Sequence, residues 1–150
     1  MSVRAWFTIS AAVLVVLAVA FVFRFFAPVP APETVARVGG IRLDGQRVSD
    51  CWPQRNGNLR CAKFSTRWTK PVRLRGKGTL HVVVAYPVQP PGGTLTLTKR
   101  DGAVVLTKKW TESLSYDLAP GDYALRADAQ YPKGAHVDYY FPVTITSSGS

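Results

Sequence analysis

The feature that most restricts the fold is alternation. Over residues 137–146, Val137, Tyr139, Phe141, Val143 and Ile145 fall on one side of an extended chain; Asp138, Tyr140, Pro142, Thr144 and Thr146 fall on the other. The same two-residue period runs through Tyr123, Leu125, Ala127 and Ala129, through Leu95 and Leu97, through Leu80, Val82, Val84 and Tyr86, and through Val72 and Leu74. Ile41 and Leu43 read as the start of the first strand. Pro142 lacks an amide donor, so its strand is expected at a sheet edge or at a bulge. Asp101-Gly102 reads as a hairpin turn into residues 103–110, and Gly76-Lys77-Gly78 as a turn after Arg75. No helical period is sustained beyond the N-terminal segment. Eight or nine short strands with turns between them imply an all-β fold, an antiparallel sandwich of about eight strands.

The phrase Leu118-Ala119-Pro120-Gly121-Asp122-Tyr123-Ala124-Leu125 resembles the L-x-P-G-x-Y-x-L hairpin of bacterial Ig-like and transthyretin-like sandwiches. The resemblance implies an Ig-like β-sandwich and no activity.

The chain has two cysteines, and they flank an Asn-Gly: Cys51-Trp-Pro-Gln-Arg-Asn-Gly-Asn-Leu-Arg-Cys61. A two-residue turn at Asn56-Gly57 would set Cys51 opposite Ala62. A three-residue loop, Arg55-Asn56-Gly57, with Gly57 left-handed, pairs Gln54 with Asn58 and sets Cys51 opposite Cys61. Directly opposed Cβ atoms lie about 4.5–5.5 Å apart, within reach of a bridge after a small adjustment. A structural disulfide is expected, and with it an oxidising compartment. Two cysteines at this spacing, with no histidine beside them, do not make a metal site, and Cys-x-x-Cys redox spacing is absent.

At the N-terminus, residues 5–23 carry no charge. Nineteen helical residues would reach about 28 Å, near the thickness of a bilayer's hydrocarbon core. The expectation is a transmembrane signal-anchor helix over 5–27 after a short cytoplasmic tail, 1–4. A cleaved signal peptide is the alternative: Ala18-Val19-Ala20 has small-x-small character but lies inside the apolar run. Thr8, Ala11, Ala12 and Ala18 form a small-residue face that could pack on partner helices. Alternating prolines make 28–36 a stiff spacer, 37–146 the sandwich, and 147–150 a flexible tail. This implies a single-pass protein of the cytoplasmic membrane with its sandwich in the periplasm or extracytoplasmic space. The arginines after the helix, Arg24, Arg37 and Arg42, argue for the opposite orientation.

Charge is unevenly placed. From Arg37 to Lys77 eleven basic residues face two acidic ones, whereas 78–150 balances six against six. Arg55, Arg60, Lys63, Arg67, Trp68, Arg73, Arg75 and Lys77 are the candidate binding residues for an acidic partner or an anionic surface. No nucleic-acid motif accompanies them, and nucleic acid is not an expected partner. No nucleophile motif, phosphate loop or close carboxylate pair is present, and His81 and His136 stand alone in the sequence. No catalytic residue, metal or cofactor is assigned. The expected function is that of a non-enzymatic, membrane-anchored accessory or scaffolding subunit of an integral-membrane complex in the cell envelope. A binding module for anionic lipid or envelope polymer is the second reading, and a metal-binding or enzymatic envelope domain the third.

Overall fold

The computed structural model describes residues 3–85 and 92–147, with side chains over 12–24, 27–84 and 92–147. One helix, α1 (Val3–Phe26), precedes eleven strands among the described residues. They are β1 (Glu33–Val38), β2 (Ile41–Leu43), β3 (Gln46–Pro53), β4 (Leu59–Lys63), β5 (Val72–Arg75), β6 (Lys77–Ala85), β7 (Gly92–Lys99), β8 (Val104–Lys109), β9 (Ser113–Asp117), β10 (Gly121–Gln130) and β11 (His136–Thr146). Four of them form a sheet in the order β2-β1-β6-β9; the other seven form a sheet in the order β4-β3-β11-β10-β7-β8, with β5 also on β11. The fold is a sandwich-like all-β architecture, as the alternation requires.

Among the described residues no helix is long and apolar enough to cross a membrane. The transmembrane helix expected over 5–27 is therefore corrected, and with it the single-pass placement in the cytoplasmic membrane. Ala12 and Ala18 are exposed on α1; the side chains of Thr8 and Ala11, like Tyr86, lie outside the described residues.

The core follows the inner set of β11. Val137, Tyr139, Phe141, Val143 and Ile145 are all buried, against Leu95, Leu97, Leu125 and Ala127 of their own sheet and Ala36, Leu80, Val82, Leu114 and Tyr116 of the other. Pro142 does not mark an edge: β11 is central. Antiparallel β3 pairs with β11 up to Tyr140, and parallel β5 takes over from Val143. Pro142 stands where one partner strand leaves and the next arrives, so on that side its missing donor deprives no partner. The turn expected over Gly76-Lys77-Gly78 is a bend at Gly76 alone, since Lys77 already opens β6. There the chain steps from β5, in the seven-stranded sheet, to β6, in the four-stranded one.

Residues 28–36 are not a free spacer. Glu33 opens β1, and Pro32, Thr34, Val35 and Ala36 are buried. Upstream, the Val29 amide donates to Gln54 Oε1 at 2.9 Å, and Arg47 donates to the Ala31 carbonyl at 3.3 Å. The segment thus lies along the inner side of the β3–β4 hairpin.

Candidate functional site

The hairpin of residues 51–61 closes through the three-residue loop. Gln54 N–H donates to Asn58 O at 2.8 Å, Gly57 has φ +82°, and Cys51 pairs with Cys61 in a disulfide with Cα atoms 4.0 Å apart. Ladder bonds at Gln54–Asn58 and Val48–Phe64 place Pro53 and Cys51 at non-hydrogen-bonded positions. Proline costs no ladder bond there, and opposed side chains approach most closely. The β7–β8 hairpin uses the same chemistry. Lys99 N–H donates to Ala103 O, Gly102 has φ +91°, and Asp101 Oδ1 accepts from the Ala103 amide as Asn56 Oδ1 does from Asn58.

Seven of the expected binding residues, Arg55, Arg60, Lys63, Arg67, Arg73, Arg75 and Lys77, are exposed cations, and none forms an ion pair among the described residues. They do not form one compact patch. Lys63 is level with Asp138 through Ser49, and Arg73 is level with Thr144. That is a separation of roughly 20 Å at about 3.3 Å per residue, more than two Debye lengths at physiological salt. The cations therefore make a row along one flank of β11: the β3–β4 hairpin at one end, Arg67 level with Gln46 in the middle, and β5 with the start of β6 at the other. Gln46 fixes the middle by bonding both the amide and the carbonyl of Arg67. Arg60 lies on the inner side of β4, in the groove beside residues 28–31, and Lys63 on the outer side. Arg55 is partly committed, because its guanidinium donates to the Arg24 carbonyl at the end of α1. Trp68 is not a free anchor. It packs edge-on against Tyr140 at 6.5 Å with the Arg100 guanidinium 5.1 Å over its ring.

Two groupings were hidden in the sequence. The first is a cleft of about 370 Å³ on the outer face of the large sheet, which brings together Ser49, His136, Asp128 and Asp138. These residue types suit nucleophilic catalysis, but their geometry does not. Both oxygens of Asp138 are held by Arg126, with Nε at 3.1 and 2.9 Å and Nη2 at 2.5 Å, and no hydrogen bond links Ser49 to His136. The hydrogen bond to Asp138 raises the Arg126 pKa above its usual value, against the opposing effect of burial. The pair is asymmetric, with Asp138 at 2% side-chain exposure and Arg126 at 58%. Arg126→Ala strands a buried carboxylate and is expected to cost about 1–2 kcal/mol. Asp138→Asn keeps an acceptor and frees a solvated guanidinium, so it is expected to cost about half as much. Urea unfolding of the two variants checks the order; Asp138→Asn being the costlier would contradict it.

The second grouping is a cleft between the β1–β2 hairpin and the corner where β5 becomes β6. Arg73, Arg75, Lys77 and His81 line it, together with Tyr116, whose phenol burial pushes to a higher pKa. His81 is on the four-stranded sheet and His136 on the seven-stranded one, so the two histidines line different clefts. Among the described residues no group of three or more His, Cys, Asp or Glu could hold a metal ion. In comparisons with known proteins, no family model, curated protein or solved structure matches this chain.

Proposed function

We propose that this chain is a non-enzymatic docking module, an accessory or scaffolding subunit of a larger assembly, whose basic flank receives an elongated acidic protein surface. The observation that carries the reading is the row of exposed cations along β4, the following loop, β5 and β6, none with an ion-pair partner among the described residues. Unpaired cations raise the rate of encounter with an acidic partner and set its register. Their arrangement favours a protein over a lipid surface. Arg60 and Lys63 project from opposite sides of an edge strand, and a flat bilayer could not meet both. The non-enzymatic part rests on Asp138 being engaged by Arg126 in the cleft that collects Ser49, His136 and Asp138.

Binding of the full chain to poly-L-glutamate tests the reading. Affinity is expected to fall by about tenfold or more between about 0.05 M and 0.5 M salt, and by a similar factor in the Arg60→Glu, Arg73→Glu, Arg75→Glu variant. Equal affinity at both salts, or a variant that binds like the parent, would overturn it. Tighter binding to phosphatidylglycerol vesicles than to poly-L-glutamate would also overturn it, in favour of a lipid surface.

A further inference from the structure

The cleft beside the β5–β6 corner shares Arg73, Arg75 and Lys77 with the docking row, but it adds a histidine, a buried tyrosine and apolar side chains that the docking reading does not need. Its volume, about 620 Å³, lies within the range of small-molecule sites. Three cations and a histidine, Arg73, Arg75, Lys77 and His81, stand on its wall, and no carboxylate is among its lining residues. Asp117 faces Lys77 across the β6–β9 pair, but no ion pair joins them. Beside Gly39, Gly78, Thr79 and Tyr116, the lining holds three apolar side chains, Val38, Leu74 and Ile41, the last 53% exposed despite its size.

Tyr116 supplies an independent observation. Its residue is 5% exposed, and its hydroxyl is buried without a hydrogen-bond partner among the described residues. The hydroxyl stops over Gly78, also a wall residue, where an added Cβ would come within 2.7 Å of it. Burying a phenol donor unused is costly, and native proteins rarely do so without a reason at that position. A small turn of the Tyr116 ring would bring that buried hydroxyl to the cleft, where a seated anion would take it together with charge-assisted bonds from the arginines.

We infer that this cleft binds a small amphipathic anion: a carboxylate or phosphate head held by Arg73, Arg75 and the Tyr116 hydroxyl, with a short apolar body against Val38, Ile41 and Leu74. Fixed cations alone would take any anion. The apolar lining selects one that carries a hydrocarbon portion, and it disfavours inorganic phosphate.

The test is titration of the full chain with octanoate, followed through the amide resonances of Val38, Ile41, Leu74 and Tyr116. Octanol and inorganic phosphate are the comparison probes. Octanoate is expected to shift these amides saturably and to bind about tenfold more tightly than either comparison probe. Arg73→Gln with Arg75→Gln is expected to weaken octanoate about tenfold or more. Tyr116→Phe is expected to weaken it several-fold while thermal stability stays level or rises, because the variant removes an unpaired buried hydroxyl. A merely structural tyrosine would show no such split. Binding should survive Arg60→Glu with Lys63→Glu, which weaken poly-L-glutamate, so failure of either reading is seen separately. The inference is overturned if no saturable shift appears at millimolar octanoate, if octanol binds as well, if phosphate binds as well, or if neither the arginine pair nor Tyr116→Phe alters the affinity.

Discussion

Phe141→Ala is expected to lower the free energy of unfolding by about 3–5 kcal/mol. Phe141 has no exposed surface, sits at the middle of the inner face of the central strand, and stacks on Tyr139 at 6.0 Å. Leu125 is directly opposite it on β10. Both sheets close on this ring, so the space left by truncation has little freedom to collapse. The ring also lies on Gly45, between β2 and β3, where an added Cβ would meet Phe141 Cε1 at 2.3 Å. Gly45→Ala must therefore displace the ring or the backbone, at about 1–3 kcal/mol. The two substitutions are coupled, because the cavity of Phe141→Ala accepts the methyl that the parent rejects. The double variant is expected to be less destabilised than the sum of the singles by about 1 kcal/mol or more. Urea unfolding of the four proteins closes this cycle, and strict additivity would show that Phe141 is not what requires glycine at position 45.

Much of this core was legible because β10 and β11 are long and their inward positions alternate, and burial follows that pattern except at Ala124, Asp138 and Pro142, which are buried on the outward side. The hairpin register around Cys51 and Cys61 was legible for a local reason. A three-residue loop with a left-handed glycine has one pairing consequence, and it follows from a few adjacent residues. Non-local features were not legible. β1 is Glu-Thr-Val-Ala-Arg-Val, short and weakly apolar, between a proline run and Gly39-Gly40. Its burial comes from pairing with β6, more than forty residues on, and nothing within the segment announces it. The step from one sheet to the other at Gly76 reads only as a turn in sequence, because a turn residue says that the chain bends and not which sheet receives it. Charge was legible as a count but not as a layout. Only the register along β11 spreads the cations into a row, and only the fold commits Arg55 to the end of α1. The Arg126–Asp138 pair was within reach: both residues lie on the polar faces of two alternating strands joined by Pro132-Lys133-Gly134, and laying those strands antiparallel brings them close.

Loss of the Cys51–Cys61 bridge, by reductant or by Cys51→Ala with Cys61→Ala, is expected to cost about 2.5–3 kcal/mol. That is what chain entropy assigns to closing a loop with the sequence separation of 10 observed here. The loss should not be spread evenly through the fold. Among the described residues β4 is an edge strand whose sole sheet neighbour is β3, while β3 is held on its other side by β11. Without the bridge, β4 keeps its register through the ladder bonds to β3 and the Gly57 loop alone. Amide exchange is therefore expected to accelerate most in residues 59–63 and least in β10 and β11. The consequence reaches function without any change of charge. Arg60 and Lys63 project from β4, and a fraying strand must be reordered before both can engage a partner, so poly-L-glutamate binding by the reduced protein should weaken several-fold. The weakening should track the exchange rates of β4 and not the population of globally unfolded chain, which separates a hairpin effect from simple denaturation. An unchanged urea midpoint under full reduction would remove the stabilising role, and unchanged affinity despite faster β4 exchange would take β4 out of the binding surface.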